Sequence, residues 1–423
     1  MHDKFSPYQR FIIALLALTQ FTVVLDFMVM SPMGDILIKA LDITPAQFGI
    51  AVSAYAFSAG ISGLLAAGFA DKYDRKRLLL FFYTGFILGT VFCGMAPNYP
   101  LLVAARIFTG VFGGVIASIS MAIVADLFHI SQRGRVMGIV QTGFAVSQVL
   151  GIPIGLVIAT HWGWHITFLM IAGLGLAIGM VMLQWMRPVD QHLQLQTERN
   201  AVQHLLKTFS VKTYRQAFMT TSLLGIGGFL LMPFGSAFLV NNVGISQEQL
   251  PIVFMSTGIF SLIAMPLMGK LSDKVDKFRL FSIGTLWSVV WMLVYTNLSV
   301  VPLWTVIVIN ILLFVGIMSR MVPAMAIMSS VPAMTDRGAF MSINTSLQQI
   351  AGGIAASFAG LIVVQADKNS PLEHYSVLGL IGSVIALLCI WLMLRIRNSR
   401  RQMETVEKMP EAPVSAPVVL ENS

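Results

Sequence analysis

The sequence predicts an all-α integral membrane protein in which twelve transmembrane helices form two pseudo-symmetric six-helix halves. The first observation is composition: of 423 residues, 56% are hydrophobic and 11% are charged, whereas about 25% are charged in a soluble domain. The second is a series of apolar runs, each about 20 residues long and therefore long enough to cross a bilayer. The third is a charged loop that occurs twice, at Ala67–Arg77 and Gly269–Arg279. Two similar loops between apolar runs indicate an internal duplication.

The apolar runs define the twelve predicted helices, and turn-forming or charged segments separate them. A mean hydropathy of +0.80 supports lipid as the solvent for their outer faces. The predicted spans cover residues 11–34, 46–70, 78–96, 101–127, 136–160, 164–186, 217–240, 250–269, 278–298, 302–328, 339–365 and 375–394.

One long polar stretch lies between helices 6 and 7. Residues 201–209 within it have an amphipathic pattern, so we expect a linker with a short surface helix. A second pair of similar segments, Gln132–Gly138 and Asp336–Ser342, precedes helices 5 and 11 and supports the duplication. The predicted units are an N-terminal six-helix bundle (8–186), a cytoplasmic linker (187–216), a C-terminal six-helix bundle (217–396) and a disordered cytoplasmic tail (397–423).

The distribution of positive charge predicts the orientation. If both termini are cytoplasmic, all but four of the 27 Lys and Arg residues lie in cytoplasmic segments. Two of the four, Lys39 and Lys368, lie in outside loops, and Arg106 and Arg320 lie within helices. We therefore expect a multi-pass protein of the cell (inner or plasma) membrane with both termini in the cytoplasm.

Composition and motifs argue against several function classes. The net charge of +8 comes from short loops rather than from one basic face, so we expect no nucleic-acid partner. Cys93 and Cys389 lie in apolar runs, and His161 and His165 lack an obvious third ligand, so we expect no metal site. The sequence has no Walker-type ATP loop, and its aqueous loops are too short for a catalytic domain. We therefore expect neither an enzyme nor a cofactor.

Asp26 is the acid that lies deepest within a predicted helix. An ionised carboxylate in hydrocarbon carries a desolvation cost, which favours a proton-coupling or cation-binding role. A structural acid held by a neighbouring Arg or by polar groups is the alternative. Arg106 in helix 4 lies at a similar depth and is the natural partner. The pair would keep Asp26 ionised, and breaking it would let a proton bind.

Other polar side chains within the helices are candidates for a substrate cavity, and interhelical hydrogen bonds explain several of them equally well. Arg320 has no acid deep enough in the second half to pair with it, so it indicates either an anionic or polar substrate or a backbone carbonyl partner. The remaining candidates are Thr22 in helix 1, Gln141 and Gln148 in helix 5, and Asn344 and Gln348 in helix 11.

The loop after helix 2 resembles the signature loop of the major facilitator superfamily. It departs from the family pattern where Ala67 and Asp74 replace glycines. The resemblance extends over about residues 8–396. The matching residues are Phe69, Ala70, Asp71, Lys72, Arg75 and Lys76.

Three further motifs resemble the same family. Arg106 with Gly110 resembles its helix 4 motif, and Gly163–Phe168 resembles the start of its helix 6, with His165 in place of an Arg. The helix 5 antiporter motif is matched by Gly151, Pro153 and Gly155. Within the family, the chain is most similar to the twelve-helix drug:proton antiporters and arabinose-efflux-permease-like exporters.

The resemblance implies roles for two sets of residues. In such exporters an acid in helix 1 and the Arg in helix 4 are associated with coupling, which here would be Asp26 and Arg106. Asp71 would help latch the cytoplasmic side when the protein opens outward, with Arg133 and Arg135 as neighbours. The implied cytoplasmic gating residues are Asp71, Arg75, Lys76, Arg133, Arg135, Asp273 and Lys277.

These observations predict a secondary active transporter that exports a small organic compound, drug or sugar-like, in exchange for protons. Two halves would rock around a central cavity to give alternating access. Its partners would be the substrate, protons and the lipid bilayer, and we expect a monomer. A metabolite uptake symporter or uniporter is the alternative, and a transporter-like sensor or membrane enzyme is a remote one.

Overall fold

A computed structural model describes residues 5–66, 72–190, 193, 201–333 and 336–407 of the chain. Within these ranges, the side chains of residues 130–131, 201–203, 273 and 399–407 are outside the description. The regular structure of the described residues is helical, and Val364 and Glu373 form an isolated β-bridge. The predicted all-α fold class is therefore confirmed.

The helices follow the predicted spans along the chain. They are α1 (Pro7–Val29), α2 (Gly34–Leu41), α3 (Pro45–Ala66), α4 (Arg75–Met95), α5 (Tyr99–Leu127), α6 (Ile130–Val140), α7 (Thr142–Val146), α8 (Ile152–Trp162), α9 (Trp164–Trp185), α10 (Ala201–Ser210), α11 (Lys212–Phe229), α12 (Gly235–Asn241), α13 (Leu250–Lys274), α14 (Lys277–Thr296), α15 (Leu303–Met328), α16 (Arg337–Ile362) and α17 (Tyr375–Glu407).

In the described part of the chain, eleven helical segments are long and apolar enough to cross a membrane. The predicted span 339–365 forms α16, which has the length but is not among the eleven. Its sequence includes Asn344, Ser346 and Gln348, and these polar side chains lower its hydropathy. The twelfth predicted crossing is therefore present as a helix but is less apolar than the others.

Two predicted helices are interrupted, and a proline lies beside the π turn of one and within the 3₁₀ turn of the other. The span 136–160 is divided into α6, α7 and α8, with a π-helical turn at Ser147–Gly151 just before Pro153. The span 217–240 breaks after α11, where Pro233 lies in a 3₁₀ turn at Met232–Phe234. Proline has no N–H to donate to the carbonyl four residues earlier, so it removes one bond of the helical ladder and favours such irregular turns. The helices α13 and α15 nevertheless continue through Pro266 and Pro323.

The duplicated loops have the same structural role in both halves. Asp74 caps α4 by accepting hydrogen bonds from the backbone N–H groups of Lys76 and Arg77, at 2.7 and 3.3 Å. Asp276 caps α14 in the same way, with the N–H of Arg279 at 2.9 Å. An acid at this position satisfies amide groups that have no partner within the helix. The repeated Asp therefore begins a membrane helix each time.

The linker and the tail differ in how well they match the sequence. The amphipathic segment predicted at 201–209 forms α10. The tail was expected to be disordered from residue 397, but α17 continues through Glu407. Arg, Gln, Met and Glu all favour helix, and no proline lies between Pro371 and Pro410, so the membrane helix extends into the polar region. The remainder of the tail lies outside the described residues.

We define the outer end of the bundle as the end with segments 30–33 and 242–249, and the inner end as the one with α10. At the outer end, one apolar cluster joins both halves and includes Met30 and Phe48 with Phe234 and Leu250. At the inner end, two separate clusters belong to residues 12–189 and residues 214–396. Among the described residues, the halves thus share one buried core at the outer end and have separate buried cores at the inner end, where Leu64 of α3 still packs against the cluster of the second half.

The contact between α3 and α16 crosses from one half to the other. The hydroxyl groups of Ser53 and Ser357 are 2.8 Å apart. A Cβ atom at Gly49 would lie 2.6 Å from the carbonyl oxygen of Ala356, closer than real side chains approach. Small residues let the two backbones meet, as expected for helix packing in lipid.

Candidate functional site

The structure brings Asp26 of α1 and Arg106 of α5 into contact. Arg106 Nη1 is 2.7 Å from Asp26 Oδ2 and 3.4 Å from the backbone oxygen of the same residue. The side chains of Arg106 and Asp26 are 1% and 0% exposed. The pairing expected from their similar depths is therefore present, as a fully buried ion pair.

A second donor reaches the same carboxylate. Thr90 of α4 places its hydroxyl 3.1 Å from Asp26 Oδ1 and 3.0 Å from the carbonyl oxygen of Phe86. A threonine hydroxyl has one hydrogen, so it can donate to only one of these acceptors at a time. The sequence interpretation missed Thr90, although its position five residues from the end of α4 gives it nearly the depth of Asp26.

A row of aromatic rings connects the ion pair with the second half. The Tyr55 ring lies under the guanidinium, with Arg106 Cζ 4.6 Å from its centroid. Phe27 stacks on Tyr55 with a centroid separation of 5.2 Å. Phe27 also lies 5.8 Å from Phe229 of α11, which belongs to the second half. The ion pair is therefore two rings away from the contact between halves.

The second half has an uncharged counterpart of this contact. The charged loops are offset by 202 residues, which places Thr257 at the position of Tyr55. The segments that precede helices 5 and 11 are offset by 204 residues, which places Asn310 at the position of Arg106. Asn310 Nδ2 donates to Thr257 Oγ1 at 3.1 Å, and both residues are buried. The duplication therefore retained a polar link between corresponding helices, and the ion pair is found at this position in the first half.

Thr22 and Gln148 were predicted to line a cavity. Thr22 is fully buried, and its hydroxyl lies 2.9 Å from that of Tyr83 in the packing of α1 against α4. Gln148 Nε2 is 3.4 Å from the sulfur of Met28. Both polar groups are thus engaged within the first half, in agreement with the interhelical hydrogen-bond interpretation.

In the part of the chain that the structure describes, no hydrogen bond joins the other predicted cavity residues to one another. Gln141 is exposed at the junction of α6 and α7, and Gln348 is half-buried on α16 near Gly225 of α11. Asn344 is buried, and its Oδ1 atom has no hydrogen-bond partner. Asn344 therefore retains an acceptor that can still receive a hydrogen bond.

Arg320 has a buried guanidinium that forms no ion pair with any acidic side chain among the described residues. The residue is 2% exposed, and its Nε and Nη1 atoms have no hydrogen-bond partner among the described residues. Its Nη2 atom lies 3.7 Å from the Cβ position of Gly227 on α11. A backbone carbonyl was one of the two partners expected for Arg320, and its Nε and Nη1 atoms have no such partner among the described residues. An unpaired buried cation carries a desolvation cost that an acceptor would relieve.

The gating residues of the first half contact their own half. Arg75 Nε is 3.1 Å from Asp126 Oδ2, and Lys76 Nζ donates to the carbonyl oxygen of Leu183 at 3.0 Å. Arg133 donates to the carbonyl oxygen of Ala125 at 2.6 Å. These contacts join the inner end of α4 to α5 and α9, and that of α6 to α5.

Of the four remaining gating residues, Arg135 contacts an aromatic ring of its own half and Lys277 faces solvent. Arg135 lies over the Phe5 ring at 5.0 Å, and Lys277 is exposed. Asp71 and the side chain of Asp273 lie outside the described residues. The implied contact of Asp71 with Arg133 and Arg135 therefore stays a prediction.

The helix 5 motif lies in the packing of α8 and its preceding π turn against α1. Cβ atoms at Gly151 and Gly155 would each lie 2.8 Å from a side chain of α1, namely Leu25 and Val29. Pro153 follows the π turn and is buried. The motif thus supports the segment of α1 that carries Asp26. No metal-binding cluster of His, Cys, Asp or Glu is found among the residues described.

Comparison with known proteins identifies similar chains. The family model described as Major Facilitator Superfamily matches residues 16–224 and 217–420. "Uncharacterized MFS-type transporter YbcL" of Bacillus subtilis (strain 168) is 26% identical over 380 residues, which are 89% of this chain and 94% of that protein. "Probable sugar efflux transporter" of Helicobacter pylori (strain G27) is 24% identical over 399 residues, or 92% and 96% of the two chains.

Solved structures show the same fold. A bacterial homolog of the human lysosomal transporter Spinster, inward-facing and occupied, has a TM-score of 0.75 at 14% identity and covers 93% of this chain and 98% of that one. A D-xylose-proton symporter has a TM-score of 0.73 at 18% identity, with 89% and 96% covered.

Proposed function

Because this chain belongs to the major facilitator superfamily, whose members are membrane transporters and not enzymes, we propose that it exports a small organic compound in exchange for protons. Transport would proceed by alternating access, in which the two halves rock and open the outer and inner ends in turn. We further propose that the chain is organised as the two predicted six-helix bundles joined by the predicted linker, that both termini face the cytoplasm, and that a monomer in the cell membrane is sufficient.

The observation that carries this proposal is the buried pair of Asp26 and Arg106. Arg106 neutralises the carboxylate, and the pair is closed off from solvent. A proton that binds Asp26 removes the negative charge and releases the guanidinium. The Tyr55 ring then provides a favourable face for the unpaired cation. The pair can therefore exist in two charge states that differ by one proton.

Movement of the halves can be linked to this change of charge. Phe27 follows Asp26 in the chain and lies between Tyr55 and Phe229 of the second half. When the ion pair separates, Tyr55 and Phe27 must adjust, and Phe229 is their neighbour across the interface. The ring row thus gives proton binding a physical route to the contact between halves.

The names of similar proteins favour export modestly. The Helicobacter pylori relative is named a sugar efflux transporter. A structural neighbour is a symporter for D-xylose and protons, and another is a nucleoside transporter. Uptake by symport therefore remains the second candidate function, and the direction of flux separates the two.

Arg320 indicates the chemistry of the transported compound. Its guanidinium is buried, and two of its nitrogens have donors without acceptors. A carboxylate, a phosphate or a polar oxygen of the substrate would supply these acceptors. We therefore propose that the substrate is anionic or rich in oxygen acceptors and that it pairs with Arg320 during the cycle.

The test first identifies a compound that binds the protein and then measures the direction in which that compound is transported. A thermal-shift screen of sugars, nucleosides and organic acids identifies a compound that raises the melting temperature of the purified protein. Everted membrane vesicles with an acidic interior are then used to measure its uptake. An exporter that exchanges substrate for protons should accumulate the compound under this gradient, whereas a symporter should not.

Asp26→Asn tests the coupling site in the same vesicles. It should abolish accumulation driven by the pH gradient and retain exchange of labelled for unlabelled compound without a gradient. Glu248→Gln, an exposed residue of the outer loop, is the matched control. Accumulation by the Asp26→Asn protein at the rate of the control would refute the proposed role.

A further inference from the structure

A polar network around Asp35 closes the outer end of the bundle. Asp35 lies in the first turn of α2, and its side chain is 2% exposed. Its Oδ2 atom is 2.9 Å from Lys39 Nζ and 2.7 Å from Gln247 Nε2. Its Oδ1 atom accepts from Asn241 Nδ2 at 2.7 Å. The carboxylate therefore accepts three short hydrogen bonds.

The partners of Asp35 come from both halves. Lys39 is one turn further along the same helix, whereas Asn241 ends α12 and Gln247 lies in the loop that follows it. Lys39 Nζ also donates to Asn241 Oδ1 at 3.2 Å. The network thus joins α2 of the first half to the start of the second half.

The backbones meet closely beside this network. Ser236 of α12 donates its hydroxyl to the carbonyl oxygen of Ser31 at 3.1 Å. A Cβ atom at Gly34 would lie 2.9 Å from the carbonyl oxygen of Pro233. The hydrogen bonds of Asp35 are therefore formed where the halves are in direct contact, and they cannot survive separation of the outer ends.

The network is built so that the carboxylate keeps a partner after separation. Opening the outer end removes Asn241 and Gln247, which belong to the other half. Lys39 is four residues from Asp35 on the same helix, so their ion pair can persist. Neutral amide donors can exchange their bonds for water at small net cost. The contact is thus strong when closed and leaves no isolated charge when open.

We propose that Asp35, Asn241 and Gln247 form an outer latch that breaks and re-forms once in each transport cycle, while Lys39 holds the charge of Asp35 in the open state. The proposal rests on the alternating access proposed above. In this role Asp35 is a positioning residue that sets the balance between closed and open outer ends.

A second contact between the halves provides the control. Asp42 and Lys368 form a salt bridge of 2.8 Å at the same end, but their side chains are 79% and 49% exposed. An ion pair in water contributes little because solvent replaces it readily. Loss of Asp42 should therefore leave the balance nearly unchanged, whereas loss of the buried Asp35 should shift it.

The experiment measures opening directly. Ser53 of α3 faces α16, with its hydroxyl 2.8 Å from that of Ser357, and it is 2% exposed. Ser53→Cys is introduced as a reporter, and its reaction with a charged maleimide is timed in purified protein without substrate or pH gradient. The native Cys93 and Cys389 are buried, and protein without the reporter gives the background.

Asp35→Asn should raise the alkylation rate about tenfold or more, because hydrogen bonds to a charged group are stronger than neutral ones. Asp42→Asn should stay within about twofold of the reporter protein. Equal rates for the two variants would overturn the proposal.

Gln247→Ala decides the matter if Asp35→Asn does not fold. Gln247 is a half-buried loop residue that donates one of the three bonds, so its truncation leaves the helices intact. It should raise the rate severalfold, and a rate equal to that of the reporter protein would reject the latch. This assay needs no transport, so its failure is distinguishable from failure of the Asp26 test.

Discussion

Replacing Gly49 with Ala should force α3 and α16 apart at the outer end. The added Cβ atom would lie 2.6 Å from the carbonyl oxygen of Ala356 and 3.2 Å from Cα of Gly360, and both are backbone atoms that cannot turn away. Ordinary contact begins at 3.4 Å. To lengthen the distance between this Cβ atom and the Ala356 oxygen from 2.6 to 3.4 Å, the helices must separate by about 0.8 Å at this point.

The size of the expected shift toward an open outer end follows from the free-energy cost of overpacking, which is about 1–3 kcal/mol. A conformation with separated outer ends escapes this cost, so the ratio of open to closed outer ends should rise about 5- to 150-fold. Spin labels at the exposed positions Pro97 and Asn369 would report it. We expect pulsed electron spin resonance to show a new population at longer distance.

Gly173→Ala is the matched control for this substitution. Gly173 lies in the membrane helix α9, and a Cβ atom there meets nothing within 4 Å. The control should leave the distance distribution unchanged. If Gly49→Ala gives the same distribution as Gly173→Ala, with both proteins folded, close packing of α3 on α16 does not hold the outer end closed.

Two further predictions concern buried cations. Tyr55→Leu should destabilise the protein by about 1–2 kcal/mol because Arg106 loses the ring beneath it. Tyr55→Phe keeps a ring and should retain more of that stability. Equal melting temperatures for the two variants would exclude a stabilising cation–π contact. Arg320→Gln should raise the melting temperature of the empty protein, because it removes an uncompensated charge, and should weaken binding of an organic acid at least about tenfold by calorimetry. A lower melting temperature with unchanged affinity would contradict both parts of the Arg320 argument.

Features that depend on depth and periodicity could be predicted from the sequence. Asp26 and Arg106 were expected to pair because their helices run in opposite directions and place them at similar depths. In the structure, Arg106 Nη1 is 2.7 Å from Asp26 Oδ2. The helical segments follow the apolar runs for the same reason, since each must span the same thickness of lipid.

Features that depend on rotation of a helix about its axis could not be predicted. Thr22 and Thr90 are both threonines in apolar helices, yet Thr90 reaches the carboxylate and Thr22 reaches Tyr83. Hydropathy does not distinguish these directions when most faces of a helix are apolar. Only the packed positions of α1 and α4 decide which hydroxyl meets Asp26.

Asp35 was missed for a different reason. The predicted span 11–34 ends one residue before Asp35, and an acid just beyond a span is ordinary, so Pro32 in the turn between α1 and α2 was the only local sign of a break. The structure buries it through residues more than 200 positions away in the chain, Asn241 and Gln247. Burial by such distant partners has no local signature in a single sequence.

The limited hydropathy of α16 bears on how the chain enters the membrane during synthesis. A nascent segment leaves the translocon for lipid when it is sufficiently apolar by itself, and α16 is less apolar than the eleven segments whose length and hydropathy suit a membrane crossing. Two of its polar side chains lie against α3, where Ser346 is beside Gly63 and Ser357 donates to Ser53. Because α3 emerges from the ribosome first, its small-residue face can act as an intramolecular chaperone for the later segment. The order of the helices along the gene thus becomes part of the insertion pathway.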